Sequence, residues 1–140
     1  MASSMQCDIV SAEKEIFSGR ITKLLAVGSL GELGIMPGHA PLLTGIQPGP
    51  VRLALESGEE EVFFASGGFL EIQPGIVTVL ADTALRADDI DEAAAEKAKE
   101  EAERALDENA SEFDYGMARA RFADAVAQQR TLEELRKHRR

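Results

Sequence analysis

Hydrophobic and polar positions follow two different periods along this chain. In residues 51–56 the side chains of Val51, Leu53 and Leu55 alternate with polar or small neighbours, the period-2 mark of a half-buried strand. Ser57-Gly58 turns the chain into a second apolar run at 61–65, Gly67-Gly68 into a third at 69–73, and Pro74-Gly75 into a fourth at 76–80. Runs joined by such short turns predict an antiparallel meander. Upstream, residues 6–10, 15–17 and 21–27 predict further strands. With turn signals this closely spaced, a β-sandwich or flattened barrel is the expected architecture.

After Arg86 the period changes to that of a helix. Asp88 and Asp89 are suited to an N-cap, and Glu92 follows Asp89 at the spacing of a capping box. Ile90, Ala94, Ala98, Ala102 and Leu106 recur every fourth residue and predict the buried stripe of a first helix. Glu100–Arg104 and Lys97–Glu101 stand at pairing distance on it. The pattern fades over residues 107–110 and restarts between Ser111 and Asp114, with Tyr115, Ala118, Phe122, Ala125, Val126 and Leu132 as the second apolar stripe. The expected fold class is α+β: a sandwich over residues 1–86, then an antiparallel helical hairpin over 87–140. An alanine methyl contributes about 0.8 kcal/mol on burial against roughly 1.5–3 for Leu or Phe. The alanine-rich hairpin is therefore expected to be the less firmly held part.

Charge sharpens this division. The formal net charge of −10 argues against nucleic acid or anionic lipid as partners. Residues 1–87 hold 5 basic and 10 acidic groups, 88–110 hold 3 and 10, and 111–140 hold 7 and 5, so the last segment is locally basic in an acidic chain. No apolar run approaches the roughly 20 residues that span a bilayer, and the N-terminus lacks the pattern of a secretory signal. The single cysteine, Cys7, lies in a predicted strand and suits a packed, inert role.

Candidate chemistry is sparse. The two histidines, His39 and His138, assemble with no nucleophile into a triad, and no His/Cys cluster has metal-ligand spacing. Glu59-Glu60-Glu61 follows a turn and reads as a solvated hairpin end. Asp88-Asp89-x-Asp91 lacks the glycine and distal glutamate of a calcium loop. The glycine series Gly28, Gly31, Gly34 and Gly38 carries an acid, Glu32, and no lysine, which excludes a phosphate-cradling loop. No catalytic, metal or cofactor site is expected.

The stretch Gly28-Ser29-Leu30-Gly31-Glu32-Leu33-Gly34-Ile35-Met36-Pro37-Gly38-His39-Ala40-Pro41-Leu42-Leu43-Thr44 instead resembles the signature loop of the epsilon subunits of bacterial and chloroplast F-type ATP synthases. Asp8-Ile9-Val10-Ser11-Ala12-Glu13, Ser66-Gly67-Gly68-Phe69-Leu70-Glu71 and Val79-Leu80-Ala81-Asp82-Thr83-Ala84 agree with that family in order and spacing, so the resemblance runs along essentially the whole chain. It implies a non-catalytic rotor subunit whose sandwich grips the gamma subunit and rests on the c-ring, coupling proton flow to ATP synthesis in the alpha and beta subunits. It places Glu32, Leu33 and Ile35 at the c-ring contact and Ser11, His39 and Thr44 at gamma. Membrane association follows only through the complex, at the cytoplasmic face of the bacterial inner membrane or, alternatively, the stromal face of the thylakoid.

Many members use the hairpin as a brake that extends along gamma and opposes ATP hydrolysis, and the resemblance assigns Arg119, Arg121 and Arg130 to that inhibitory helix. Some members also bind ATP at an Ile/Leu-Asp-x-x-Arg-Ala motif. The matching residues are Ile90-Asp91-Glu92-Ala93-Ala94-Ala95, with Ala94 where the arginine would stand, so no nucleotide site is expected. Without the resemblance, the residues also fit a stand-alone β-sandwich binding module with a helical oligomerisation tail.

Overall fold

The computed structural model describes residues 3–107 and 112–138. Its elements are β1 (Met5–Ser11), β2 (Glu15–Gly28), β3 (Gly31–Ile35), β4 (Leu42–Ile46), β5 (Gly49–Leu55), β6 (Glu60–Ala65), β7 (Gly68–Gln73), β8 (Ile76–Ala81) and β9 (Ala84–Arg86). A 3-10 turn at Ala87–Asp89 leads to α1 (Glu92–Asp107) and α2 (Glu112–His138). The expected connection over residues 108–111 and the terminal Arg139 and Arg140 lie outside the described residues.

One sheet folds on itself in the order β1-β8-β7-β4-β2-β5-β6-β9, with β3 on β2, and closes because β2 also pairs with β1. Strand β1 runs parallel to β8. The interior is filled from both layers by alternating side chains, among them Cys7, Ile9, Ile21, Leu24, Val51, Leu53, Phe63, Leu70, Val77 and Val79. Burial, and secondarily the charge of Asp8, pushes the Cys7 thiol up to about 12, so it stays protonated and inert.

The runs predicted at 15–17 and 21–27 are a single 14-residue strand. It pairs with β1 through Ile21, changes partner at a register irregularity between Ile21 and Lys23, and continues against β5 and β3. The predicted meander is interrupted. Strands β5 and β6 form one hairpin and β7 and β8 another, but β6 pairs with β9 and β7 with β4. Gly67-Gly68 therefore carries the chain between layers. Both residues have positive φ, and a Cβ on Gly68 would lie 2.0 Å from the Leu80 carbonyl oxygen. That approach joins two motif segments: Ser66 N–H donates to Thr83 O (2.9 Å), Thr83 N–H to Ser66 Oγ (2.8 Å) and Asp82 N–H to Gly67 O (3.1 Å).

The helical part differs from expectation in its start and its face. Asp88 and Asp89 sit in the 3-10 turn, and the cap is Asp91, whose Oδ1 accepts from Ala94 N–H at 3.0 Å. The expected stripe holds in part, at Ile90 and Ala102. Ala95 and Ala102 are buried, whereas Ala94 and Ala98 are exposed. On α2 the buried residues are Ala118, Ala125, Ala127 and Thr131, and Tyr115 is exposed. Thr131 Oγ donates to Ala127 O at 2.7 Å, so its buried hydroxyl is satisfied within the helix. Neither predicted pair along α1 closes to ion-pair distance among the described residues. The helices are linked instead by Arg136–Glu92 and by Gln129 to Glu96.

Helix α2 lies over β5 and β6, and Phe64, Ile90 and Ala127 form a second core with Leu85 and Leu132. At the junction, Arg86 pairs with Glu61 at 2.9 Å and stacks 5.2 Å from the centre of the Phe63 ring, tying β9 to the sandwich before the chain becomes helical.

Replacing Gly68 by alanine is expected to cost about 3 kcal/mol or more, since the left-handed conformation and the Leu80 carbonyl oppose the methyl together. Gly116, in α2 with nothing near its Cβ position, is the control, and G116A should stabilise by about 0.5–1 kcal/mol. Denaturant midpoints of the two variants check both signs.

Candidate functional site

Three surfaces carry the candidate residues. The first is the β2–β3 hairpin, which lies inside the glycine-rich stretch. Gly31 adopts φ +125° and closes its turn, leaving Leu30 wholly in solvent at the tip. Glu32 pairs with Val27 across the hairpin and is exposed. Leu33 is half-buried and lies over Gly28, where a Cβ would meet its Cδ1 at 2.8 Å. Ile35 is 1% exposed and belongs to the core, so its side chain supports the hairpin from beneath and is removed from the contact set. Leu30 and Met36, 59% exposed, are the apolar groups that the tip region offers.

The second surface is the outer face of β4, β7, β8 and β1. Period-2 alternation should make it polar, yet the cross-strand row Gly45–Phe69–Leu80–Val10 presents Phe69 at 56% and Leu80 at 47% exposure. Leu43 flanks the row at 64%. Such an apolar band at outward strand positions is a candidate docking surface. Ser11 lies at its edge, lining a shallow groove with Phe69 and Leu80. Its hydroxyl accepts from the N–H groups of Glu13 and Lys14 and donates to Lys14 O, holding the β1–β2 turn. Thr44 is next to Leu43 but points the other way, pairing with buried Leu70 and half-buried itself. His39 stands apart in the turn after β3, exposed, its Nδ1 2.7 Å from Ala40 O. The structure thus brings Ser11 to the band, and the larger apolar groups there, Leu43, Phe69 and Leu80, are residues that motif matching missed. Their signal was apolar character at outward positions of the strands.

The third surface is a cavity of about 500 Å³ between the helices, lined by alanines of both together with Asp89, Asp91, Glu101, Arg121 and Asp124. Ala94, standing where a phosphate-binding arginine is looked for, is part of this lining. Four carboxylates against one guanidinium give the cavity the wrong sign for a triphosphate, and the residues present do not fit a nucleotide. Of the arginines that the resemblance assigns to an inhibitory helix, Arg121 lines this cavity, Arg119 is exposed in solvent, and Arg130 lines a separate small cavity beneath α2. Among the described residues no group of three or more His, Cys, Asp or Glu side chains is placed to hold a metal, and no helix is long and apolar enough to cross a membrane.

Charge pulls the docked hairpin in two directions. Burial, then the nearby charge of Asp82, raises the Asp124 carboxyl above its ordinary range. The hydrogen bond and charge of Arg136 lower Glu92. A raised acid binds its proton more readily in the docked state, so Asp124 favours docking increasingly as pH falls toward the ordinary carboxylate range, about 4. Glu92 has the opposite sign: its stabilising pair with Arg136 is present above that range and is lost as pH falls through it.

The comparisons with known proteins fall along the same division of the chain. The family model described as "ATP synthase, Delta/Epsilon chain, beta-sandwich domain" matches residues 4–87, and "ATP synthase, Delta/Epsilon chain, long alpha-helix domain" matches 88–133. A protein of Chromohalobacter salexigens named ATP synthase epsilon chain is 60% identical over 134 residues, covering 96% of this chain and 95% of the relative. Among solved structures, a chain of the Euglena gracilis mitochondrial ATP synthase superposes with TM-score 0.70 at 22% identity, covering 98% of this chain and 82% of that one. A chain of the Tetrahymena thermophila mitochondrial ATP synthase central stalk and c-ring gives 0.62 at 14%, covering 93% and 97%. At those identities the two structures show a shared fold.

Asp124→Asn should tighten docking of α2 at pH 7 and flatten its rise as pH falls toward the ordinary carboxylate range, about 4. Hydrogen exchange of the α2 amides across that range is the measurement, and faster exchange in D124N at pH 7 would contradict the sign.

Proposed function

We propose that this chain, which belongs to the ATP synthase delta/epsilon family, works as a non-catalytic rotor subunit that couples the c-ring to gamma and carries a helical brake in its docked position. The observation that bears most of this reading is the apolar band of Leu43, Phe69 and Leu80 on the layer that the helices leave uncovered. A helical shaft such as gamma suits a flat apolar strand face, and the tip bearing Leu30 and Glu32 suits the polar loops of a ring. The helices that a stand-alone module would use as an oligomerisation tail lie within residues 88–133, which match the family's long alpha-helix domain, and this favours the rotor reading. The absence of a spanning helix among the described residues is in keeping with attachment through the complex. Identity to a Chromohalobacter salexigens chain favours the bacterial inner membrane, at its cytoplasmic face, over the thylakoid.

The brake reading keeps Arg119, Arg121 and Arg130 as its candidates. The docked hairpin leaves Arg119 in solvent and uses Arg136 to hold α1. Extension along gamma would bring the basic helix toward acidic surfaces of the beta subunits. The acidic interhelical cavity makes regulation by bound nucleotide a poor fit.

Three outcomes are expected. L43S/F69S together should weaken binding to gamma by at least about tenfold, because each apolar side chain contributes roughly 1.5–3 kcal/mol when covered. Unchanged affinity in titration calorimetry would remove the band from the interface. Millimolar ATP should leave the melting temperature where it is, whereas a ligand at 100 times its dissociation constant would add about 2.7 kcal/mol. R119A/R121A/R130A in the reconstituted complex should raise ATP hydrolysis and leave synthesis largely intact, and unchanged or lower hydrolysis would defeat the electrostatic brake.

A further inference from the structure

Beneath the last third of α2 lies a cavity of about 60 Å³, closed by Glu32 of β3, Leu25 and Val27 of β2, Arg52 of β5, and Arg130 and Glu134 of α2. Register explains the meeting. Leu25 stands opposite Arg52 on one side and Gly34 on the other, and Val27 stands opposite Glu32. Side chains two apart on a strand share a face. Arg52, Val27 and Glu32 thus lie on the outer face of the layer that α2 covers. Arg130 and Glu134 are one helical turn apart and reach the same spot.

The polar groups there are incompletely matched by the protein. Arg52 Nη1 stands 3.5 Å from Glu134, which also receives Lys137 Nζ at 3.5 Å, but Arg52 Nε is buried without a hydrogen-bond partner. Glu32 and Arg130 form no direct ion pair among the described residues, although both line the space. A polar cavity of this size has room for about two waters, and the orphaned Nε–H is the kind of group that holds one.

We infer that Glu32, Arg130, Glu134 and Arg52 form one hydrated charge network that couples the β2–β3 hairpin to the docking of α2. In the docked state Glu32 is the counter-charge of Arg130 across the cavity. Drawing Glu32 outward into another contact leaves Arg130 beside Arg52 with only Glu134 to offset both, and the helix loosens. Coupling of this kind is reciprocal, so release of α2 must equally loosen the hairpin. Its meaning in the rotor, that engagement of the tip biases the brake, rests on the proposed function. The coupling itself is a property of the isolated chain and can be tested without any partner.

The test is hydrogen exchange on the full-length isolated chain at low salt, comparing wild type with E32Q, R130Q and the double variant. E32Q should speed exchange of the α2 amides of residues 127–137 by about three- to tenfold, and R130Q should speed the β3 amides comparably. The double variant should go no further than the larger single effect. Strands β7 and β8 serve as the internal reference and should keep their protection. Arg136→Gln, which breaks the link to α1 alone, should leave β3 unchanged. If E32Q leaves α2 unmoved, or the two effects simply add, the network is overturned. Should a glutamine variant also lower protection of β7 and β8, wild type decides the matter. Raising salt from about 50 mM to 1 M should then speed α2 and β3 together, and a response in only one of them overturns the inference.

Discussion

Strand β6 buries Val62, Phe63, Phe64 and Ala65 in succession, so it has no face to offer to water. Phe63 points into the sandwich, where Phe17 meets it edge-on at 5.6 Å, and Phe64 points out of it. An outward phenylalanine needs a cover, and Ala127, Ile90 and Leu132 supply one. Much else depends on that demand. It brings α2 across β5 and β6, sets Arg130 and Glu134 above Arg52, and leaves the opposite layer to present its own apolar band. A single buried aromatic side chain contributes roughly 1.5–3 kcal/mol, enough to favour docking and too little to make it permanent.

That balance gives the charges on the hairpin their leverage. Isolated surface pairs contribute about 0–1 kcal/mol each, which matters little to the sandwich but is comparable with the net advantage of a thin alanine interface. Asp124 opposes docking at neutral pH, and Glu92 with Arg136 supports it. An acidic first helix and a basic second one are thus a means of keeping a weakly packed element near its point of release.

Period and turn chemistry were sufficient to read the two-part architecture, most strands, both helices and the inert cysteine. They failed where tertiary pairing overrides local order. Gly67-Gly68 looks like a hairpin turn, and only the pairing of β6 with β9 and of β7 with β4 shows it to be a crossover between layers. Asp88 and Asp89 are good caps in isolation, but the cap is Asp91 because the preceding residues are held by Phe64 and the sheet, with Ala87 buried. Ile90 and Ala102 of the expected stripe are buried, but Ala95 takes the place of Ala94 and Ala98. Family resemblance supplied Glu32 and Ser11 at plausible surfaces, yet it also supplied Ile35, whose burial no motif reveals. The apolar band was visible as Leu43, Phe69 and Leu80 only once strand register showed which way each pointed.

The unbroken length of β2 has a mechanical consequence. Fourteen residues at about 3.3 Å each give a strut of roughly 45 Å, running from the turn held by Ser11 to the tip at Leu30. It is bonded along its course to β1, β5, β3 and β4 in turn. A load applied at the tip along the strand would act on those bonds in shear, many at once, and would not peel them singly. Stiffness along one axis thus coexists in the same small fold with a helical face held by few large side chains.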